Sequence, residues 1–529
     1  MSGLTRHATL LLGVLALVAG CTQNGLPFVP TPEPTPELPR EVAITVVDRS
    51  TREPIAGAFV EAGAERVLTD ESGDATFIAM RGSTVSVSAA EHEPGSAEVP
   101  DEGPVEAELR PNVLRGSVTD EAGAPLADVR VFVDGTDAMV LTDATGAYEL
   151  PGIPEAGTVI FKRAGHRLGE IPIGEDVAMD VALERFEARA LYAPASVFES
   201  TGGLEELLEL VDSTEVNALV IDVKETDGLL YYSTDLPEAV EVGAVRETPI
   251  LDLEELLPML RARGIYTIAR MVVMKDNTVT AARPELAVRN VVTGEPWRDY
   301  IGGAWLDPSA PGVAEYVAAI AVDLADKGFD EVQLDYVRFF SDGPYAEADT
   351  TLPNSQSFRL AAMQRVLRVV SEAMATKRAF LAADVFPISF ILPDDQGIGQ
   401  RPEVVMPYVD YACPMAYPSH FGSGVFGLAV PNNFPYEVVD QTLEIMNEQA
   451  AEWPVALRPW IQDFGYGEFP KYTPEQVAAQ IQAATDRSAH GWMVWNPITN
   501  FSASAFGPPR PGEDAGPVTE ALPAPSTAP

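Results

Sequence analysis

The spacing of apolar residues divides the chain into two parts. Between residues 41 and 183, short runs alternate apolar and polar positions and are separated by Asp-Gly and Pro turns. After Arg189, longer apolar segments alternate with amphipathic stretches. Strict alternation is typical of half-buried strands in antiparallel sheets, whereas apolar segments separated by amphipathic helices indicate a parallel sheet. The pattern therefore predicts small all-β domains followed by one α/β domain.

The all-β part contains an internal repeat with a period of 71 to 74 residues. A repeat of this kind indicates two copies of one structural unit. We therefore predict two small β sandwiches, over residues 41–110 and 111–185. The paired segments are PIAGAFV at 54–60 and PLADVRV at 125–131, TDESG at 69–73 and TDATG at 142–146, and the single residues His92 and His166.

Each repeat unit resembles the carboxypeptidase regulatory-like, transthyretin-like domain, in which a strand leads into a Thr-Asp-x-x-Gly turn. The resemblance implies modules that space, stabilise or present another domain. Sugar binding is the alternative, but neither unit has the clustered aromatic residues of a sugar platform. The repeat also predicts that the sandwiches are self-contained and that the following domain is complete without them.

Eight apolar segments after Arg189 have the length of strands. Amphipathic helical segments lie between them, which predicts a (β/α)₈ TIM barrel over residues 186–507. A doubly wound open sheet is the alternative, but the first strand lacks the Gly-rich phosphate turn of that fold. The predicted strands are 190–193, 218–224, 266–273, 331–339, 379–386, 411–417, 457–464 and 491–496, and the helices include 203–211, 253–263, 313–327, 357–375 and 474–488.

The N-terminus has the pattern of an export signal. Arg6 and His7 precede an apolar run at 8–19, which is shorter than the ~20 residues of a membrane-spanning helix. The run ends in Val-Ala-Gly-Cys at 18–21, which resembles a bacterial lipobox, and this resemblance implies that Cys21 is acylated. We therefore predict a signal peptide at 1–21 and a lipid anchor at Cys21. An ordinary secretory signal followed by an unmodified cysteine is the alternative.

Proline-rich segments flank the predicted folded part. Residues 22–40 favour extended polyproline conformation and are predicted to be a linker, and residues 508–529 are predicted to be a disordered tail. With the lipid anchor, this organisation predicts a protein held at the extracytoplasmic face of the cell membrane.

Composition excludes several classes of function. The chain has 35 Lys plus Arg against 79 Asp plus Glu, a net charge of −44, so it repels nucleic acid and anionic lipid. The acidity suits a neutral or cationic substrate, but solubility of an exported protein is the simpler explanation. If Cys21 is acylated, Cys413 has no partner and no disulfide forms. The motifs of zinc proteases, serine hydrolases and nucleotidases are absent, so we expect no metal and no cofactor, with a carboxylate-bound metal as the alternative.

The active site of a TIM barrel lies at the carboxyl ends of the strands, and this location selects the candidate residues. Two carboxyl groups at neighbouring strand ends can supply one acid and one base or nucleophile. Asp335 and Asp384, on adjacent strands, are the predicted catalytic pair. Predicted substrate-binding residues are Asp222, Lys224, Arg270, Arg338, Tyr417, His420, Asp463, Trp495 and Asn496.

Structural roles are the alternatives for these side chains. A strand-end aspartate such as Asp384 often caps a helix, and Asp222 with Lys224 is consistent with a buried ion pair. Tryptophans in strands more often belong to the core than to a sugar platform.

The segment GFDEVQLDYVRF at 328–339 resembles the fourth strand of a bacterial family described only as glycoside hydrolase candidates, whose barrel is distantly similar to that of the alpha-amylase clan. Further matches lie at 221–224, 383–386, 410–411, 414–415, 417–420 and 491–492.

The resemblance implies that Asp335 is the nucleophile and that Arg338 is the basic residue three positions later. It also departs from the clan, because Asp384 replaces a glutamate and Gln333 replaces an arginine. Asp463 would take the place of the third aspartate of the clan. The separation of the two carboxyls then decides between retention, at ~5 to 5.5 Å, and inversion, at ~6.5 to 9.5 Å.

The sequence thus predicts a surface lipoprotein whose two sandwiches carry a glycosidase-like barrel toward extracellular or cell-wall polysaccharide. A carbohydrate-binding or scaffold lipoprotein with an inactive barrel is the alternative. The enzyme and the binding protein differ in what they require of Asp335 and Asp384. In an enzyme these carboxyls must be ionisable, close together and open to a cleft, whereas a binding protein has no such requirement.

Overall fold

The computed structural model describes residues 38–174, 177–351 and 354–509. Cys21 and the predicted signal peptide lie outside the described residues, as do the linker up to residue 37 and the tail from residue 510. The described residues form two compact units; the first ends at Leu109 and the second begins at Arg110, with Glu91–Glu93 also in the second. None of the helices in the described ranges is long and apolar enough to cross a membrane.

The first unit is a β sandwich. Its two sheets have the strand orders β4-β1-β7 and β3-β2-β5-β6. Strand β1 runs antiparallel to β4 and parallel to β7. The strands are β1 (Arg40–Asp48), β2 (Phe59–Ala62), β3 (Glu65–Leu68), β4 (Asp74–Ala79), β5 (Thr84–Ser88), β6 (Gly95–Glu98) and β7 (Val105–Leu109).

The second sandwich repeats this topology, with the strand orders β11-β8-β14 and β10-β9-β12-β13. Strand β8 runs antiparallel to β11 and parallel to β14, as β1 does with its neighbours. The internal repeat of the sequence therefore corresponds to a repeat of the fold. The strands are β8 (Val113–Asp120), β9 (Arg130–Val133), β10 (Met139–Leu141), β11 (Ala147–Pro151), β12 (Thr158–Lys162), β13 (Gly169–Pro172) and β14 (Val181–Leu183).

The repeated Thr-Asp-x-x-Gly segment has a structural reason. The buried Thr142 hydroxyl donates to the Leu126 carbonyl and accepts from the Val129 amide, so it ties two repeated segments together. The equivalent threonine of the first sandwich makes the same two bonds. Gly146 has a φ of 77°, and a Cβ there would lie 2.4 Å from the Val118 carbonyl oxygen. The turn therefore requires glycine.

The second unit also contains a parallel sheet that forms the barrel. Its order within the described residues is β23-β22-β21-β19-β17-β16-β15-β25-β24, whereas β18 and β20 pair separately. The predicted fold class, a TIM barrel after two sandwiches, is confirmed. The strands are β15 (Ala188–Ala193), β16 (Ala218–Lys224), β17 (Tyr266–Val272), β18 (Arg289–Asn290), β19 (Glu331–Asp335), β20 (Ala348–Asp349), β21 (Phe380–Val385), β22 (Tyr411–Pro414), β23 (Ala456–Leu457), β24 (Trp460–Gln462) and β25 (Gly491–Trp495).

The seventh barrel strand consists of two pieces. β23 pairs with β22, and β24 pairs with β25, so the interrupted strand links the two edges of the sheet. The sequence pattern predicts one continuous strand at 457–464, but Pro459 lies in the interruption and has no amide to donate to a neighbouring strand. The fourth strand also ends earlier than predicted, because Tyr336 after it has a φ of 52°.

Helices cover the outside of the sheet. Ser355 and Thr473 cap α7 and α11 by accepting amide hydrogen bonds, which fixes where these helices begin. The sequence analysis did not single out α10, which starts at a proline. The helices are α1 (Ala195–Glu199), α2 (Gly203–Ser213), α3 (Pro237–Glu241), α4 (Leu253–Ala262), α5 (Asn277–Ala282), α6 (Val313–Lys327), α7 (Gln356–Met374), α8 (Ile388–Ile391), α9 (Pro402–Val405), α10 (Pro435–Ala450) and α11 (Pro474–Asp486).

The second sandwich packs against the amino-terminal ends of the barrel strands. Lys162 is completely buried there; its Nζ donates to the carbonyls of Lys377, at 2.9 Å, and Ala379. Asp410, just before β22, pairs with Arg130 and lies 3.8 Å from the Lys162 Nζ. The sandwich thus supplies two basic side chains to the base of the barrel. That the barrel is complete without the sandwiches stays a prediction.

We expect Asp410→Asn to destabilise the second unit by about 3 to 5 kcal/mol, because it leaves the Arg130 guanidinium without its carboxylate. The midpoint of urea unfolding, followed by tryptophan fluorescence, measures the change. Glu372→Gln is the control, because its pair with Arg368 is exposed and such pairs contribute less than about 1 kcal/mol. Equal effects of the two substitutions would contradict a role for this ion cluster.

Candidate active site

A cavity of about 330 Å³ opens at the carboxyl ends of the barrel strands. Seven of the predicted site residues contribute to its lining: Arg270, Asp335, Arg338, Asp384, Tyr417, His420 and Trp495. The side chains that the sequence analysis did not select include Tyr336, Phe386, Met415, Phe421 and Trp460. The strand-end rule for TIM barrels therefore brings most of the predicted residues into one space.

Asp335, at the end of β19, is held by charge-assisted hydrogen bonds. Arg270 of β17 donates to its Oδ2 from Nε at 3.0 Å and from a terminal nitrogen at 2.6 Å. The Tyr336 amide donates to Oδ1 at 2.6 Å. These contacts orient the carboxylate and match its negative charge with a guanidinium.

Arg270 also binds two more carboxylates. Its other terminal nitrogen lies 2.6 Å from Asp222 and 2.7 Å from Glu225. Burial opposes the charge of Arg270, but the carboxylates raise its pKa well above the ordinary value. Burial raises the pKa of Asp222 to about 6. Burial also disfavours the Glu225 carboxylate, but the pair with Arg270 holds the pKa of that carboxyl below its usual range.

Asp384, at the end of β21, lies in a different environment from Asp335. It is completely enclosed by protein except toward the cavity, and burial followed by the nearby Asp335 charge raises its pKa well above the ordinary value. The Trp460 indole donates to Oδ1 at 2.7 Å. No ion pair of Asp384 is found within the described ranges. Burial and the Asp335 charge thus favour the protonated form of this carboxyl, and Oδ2 is the oxygen that the indole leaves free.

Aromatic rings cover one side of the site. Trp495 stacks on Tyr192 with ring centres 3.9 Å apart, and Trp460 meets Trp495 edge to face at 5.4 Å. The Tyr192 hydroxyl donates to Asp222, so the aromatic group and the carboxylate group are connected. Trp495 is less buried than its neighbours and lines the cavity, which suits a ring that stacks on a sugar.

Tyr417 and His420 form the opposite part of the lining. Their rings lie 5.4 Å apart, and His420 also packs on Tyr466 at 4.4 Å. Burial lowers the pKa of His420, so it is neutral at neutral pH. Burial raises the pKa of the Tyr417 hydroxyl, which remains a hydrogen-bond donor.

Four predicted site residues do not line the cavity: Asp222, which binds Arg270, and three that are engaged elsewhere. Lys224 is buried, forms an ion pair with Asp276 at 2.8 Å and donates to a backbone carbonyl. Asp463 accepts hydrogen bonds from the Ser502 amide and hydroxyl. Asn496 donates to the backbone carbonyl of Asp463 and to that of a neighbouring loop residue. These contacts order the loops behind the site.

The strand-end rule also selects Glu225, which directly follows β16. Tyr192 and Trp460 were not selected as site residues, because an aromatic residue in a strand resembles core. No group of three or more His, Cys, Asp or Glu within the described ranges is placed to hold a metal ion.

Comparison with known proteins agrees with this geometry. The model of the family described as "Putative glycosyl hydrolase domain" matches residues 190–501, more than half of the chain. The chain belongs to this family. Within this family member, the model of the carboxypeptidase regulatory-like domain matches residues 113–184, which confirms the resemblance of the second sandwich. No curated protein matches the chain.

Solved structures similar to this family member include a hypothetical protein from Ruminiclostridium thermocellum, with 31% identity over 37% of this chain and 97% of that chain and a TM-score of 0.33. The PgaB (BpsB) glycoside hydrolase domain from Bordetella bronchiseptica is 13% identical over 61% of this chain and 99% of that chain, with a TM-score of 0.45. The catalytic domain of a beta-amylase from Paenibacillus polymyxa is 11% identical over 61% and 95%, with a TM-score of 0.41.

We expect Arg270→Met to destabilise the second unit more at pH 8 than at pH 5. In the wild type, Glu225 has a depressed pKa and stabilises the fold above its ordinary value of 4.5. Without the guanidinium, the pKa values of Glu225 and Asp222 rise, so the folded state binds extra protons and loses stability as pH increases. The loss should reach about 3 to 5 kcal/mol at pH 8.

Urea unfolding at the two pH values measures this loss. Arg359→Met is the matched control, because Arg359 is a partly buried arginine whose ion pair is with one carboxylate, Asp395. Its pH dependence should be smaller. An equal loss of stability at both pH values for Arg270→Met would mean that the three carboxylates do not depend on this guanidinium.

Proposed function

We propose that this protein is a membrane-anchored glycoside hydrolase that acts on extracellular or cell-wall polysaccharide. One observation carries the proposal: the cavity holds two carboxyls in different environments. Arg270 forms an ion pair with Asp335, whereas burial raises the pKa of Asp384. Glycoside hydrolysis needs this pair, a carboxylate at the anomeric carbon and an acid at the leaving oxygen.

Asp384 is the acid in this mechanism. The Trp460 indole occupies Oδ1, so the proton resides on Oδ2 and passes to the glycosidic oxygen as the bond to the anomeric carbon breaks. Departure of the leaving group turns Asp384 into a carboxylate, which then removes a proton from the incoming water if the enzyme retains configuration. The enclosed site favours this transfer, because the neutral acid is the stable form before the reaction.

Asp335 stabilises or attacks the positively charged anomeric carbon. Its two oxygens are fixed by Arg270 and by the Tyr336 amide, so the carboxylate does not need to reorient during the reaction. If the enzyme inverts configuration, the same carboxylate accepts a proton from the attacking water. Trp495 provides a ring face for the sugar, next to both acids.

The rival class is a carbohydrate-binding protein with an inactive barrel. Such a protein needs aromatic rings and hydrogen-bond donors, but it gains nothing from a buried acid with a raised pKa. The raised pKa of Asp384 lowers the free energy of unfolding at pH values above the ordinary pKa of an aspartate. Acids with perturbed pKa values cluster at catalytic sites. This cost supports an enzyme over a binding protein.

We expect Asp335→Asn and Asp384→Asn each to reduce kcat/KM by about a thousandfold or more, because each removes one of the two reacting carboxyls. Asp384→Asn should fold at least as stably as the wild type at pH 7, since the amide resembles the protonated acid. Reducing-sugar release from a panel of polysaccharides measures activity, and thermal unfolding measures stability.

Asp326→Asn is the control for these two variants, because this aspartate is an exposed residue of α6 that pairs with Lys377. It should hydrolyse polysaccharide at the wild-type rate. Unchanged hydrolysis in both active-site variants would contradict the proposed mechanism. If the wild-type protein binds a polysaccharide in the panel without cleaving it, the rival class is supported instead.

The anchor part of the proposal rests on the lipobox. The chain has two cysteines, and Cys413 is completely buried in the barrel, so Cys21 is the remaining site for a lipid. We expect Cys21→Ala to move the protein from the membrane fraction to the soluble fraction, as seen by immunoblot after high-salt washing. Cys413→Ala should stay with the membrane. A Cys21→Ala protein that remains membrane-bound would place the anchor elsewhere.

A further inference from the structure

Arg338 is a charged side chain that lines the cavity. It is 6% exposed and lines the same space as Asp335 and Asp384. Other deeply buried arginines of the barrel have carboxylate partners: Arg270 binds three, and Arg458 binds Glu331 at 2.8 Å. No carboxylate within the described ranges forms an ion pair with Arg338.

A buried guanidinium without a counter-charge is costly unless something else supplies the charge. Burial is the main cause that lowers the pKa of Arg338, although an arginine keeps its proton in a protein. The missing counter-charge therefore points to a ligand that enters the cavity.

The environment of Arg338 fixes which part of the guanidinium can bind this ligand. Rings of Trp305, Tyr336 and Phe386 lie 4.8, 5.2 and 4.9 Å from its central carbon. One terminal nitrogen, Nη1, donates to the Phe339 carbonyl at 3.1 Å and to the Ser341 hydroxyl at 2.7 Å. The rings and these two bonds hold the group in place.

The donors that remain are Nε and Nη2, and neither has an acceptor in the part of the chain that the structure describes. Neither is a fully enclosed atom, so they are open to the cavity. Nε–H and an Nη2–H form one edge of a planar fork, which matches the two oxygens of a carboxylate.

From these contacts we infer that Arg338 binds a carboxylate carried by the sugar in the cavity, so that the substrate is a uronate-containing glycan. The inference rests on the proposed function and adds the substrate class to it.

The acidity of the whole chain does not oppose this ligand at short range. The net charge of −44 acts mostly through exposed groups, and salt at physiological strength screens these beyond ~8 Å. Inside the cavity, Asp335 is paired with Arg270, so the Arg338 guanidinium stays available to a ligand. A carboxylate at Arg338 would contact this guanidinium directly, which differs from the neutral or cationic substrate that the net charge alone suggests.

The test compares each uronate with its own methyl ester, which removes the charge and keeps the sugar and the linkage. Oligosaccharides of galacturonate, glucuronate and mannuronate are titrated into the full-length protein in detergent, and tryptophan fluorescence reports binding. Asp335→Asn protein is titrated in parallel, so that cleavage does not distort the measurement. We expect at least one acid to bind about tenfold or more tightly than its ester, as is typical of a charged hydrogen-bonded pair.

Arg338→Gln should reduce this preference to less than about twofold, whereas Arg338→Lys should keep a weaker preference, since it retains the charge but loses the fork. Arg368→Gln is the matched control, because it removes one positive charge from exposed α7 and should leave the preference unchanged. If Arg338→Gln does not fold, Arg338→Lys and the wild-type comparison still decide the result.

Equal binding of every acid and ester by the wild type, or a preference that survives Arg338→Gln, would overturn the inference. Tighter binding of a sulfated or phosphorylated sugar than of any uronate would overturn the carboxylate assignment. Cleavage of a neutral glycan without any preference for acids would contradict this inference and support the proposed hydrolase. Selective binding of a uronate without cleavage of any glycan would support this inference and contradict the proposed hydrolase.

Discussion

The contact between Arg270 and three carboxylates is the interaction on which the site depends. One guanidinium holds Asp222 and Glu225 at the end of β16 and Asp335 at the end of β19, so it fixes two strand ends relative to β17. Arg270 forms no ion pair with Asp384, the other carboxyl of the cavity, in the part of the chain that the structure describes. Burial, followed by the Asp335 charge, raises the pKa of Asp384. The two carboxyls of the proposed reaction thus differ because one is paired with a guanidinium and the other is not.

A second constraint acts at the opposite end of the barrel. The strand ends there carry polar groups, including Asp410 before β22 and Glu331 at the start of β19, that a closed barrel cannot leave in an apolar space. Arg458 compensates Glu331 from within the barrel, and the second sandwich compensates Asp410 with Lys162 and Arg130. The sandwich is therefore part of the barrel base, although its sequence and topology identify it as a repeat of the first unit.

Much of this architecture could be predicted from the sequence, for physical reasons that differ between parts. The repeat could be recognised from residues such as Thr142 and Gly146. Their structural roles depend on nearby residues, so the same residue types recur in both copies. Barrel strands were visible because a buried parallel strand must be apolar on both faces. The interruption at Pro459 was not recognised, because an apolar run with one proline resembles a continuous strand.

The site could be predicted in part for a similar reason. The position at the end of a strand selects Asp335, Asp384 and Arg270, since the fold brings all strand ends together. It also selects Lys224 and Asp463, whose side chains are bound by Asp276 and Ser502. These partners are distant in the sequence, so the local sequence pattern gives no sign of the contacts. Tyr192 and Trp460 were missed because an aromatic ring contributes to both core and site, and only the three-dimensional contacts separate the two.

The ion pair between Arg130 and Asp410 has a consequence for the order in which the molecule is assembled. The partners are 280 residues apart, and at a synthesis rate of about 5 to 20 residues per second the arginine leaves the ribosome roughly 14 to 56 s before the aspartate. The second sandwich therefore forms while Arg130 and Lys162 are still hydrated. Closing the barrel base then requires both basic side chains to lose their bound water together. Late arrival of one carboxylate thereby delays the final compaction of the protein until most of the barrel has been delivered.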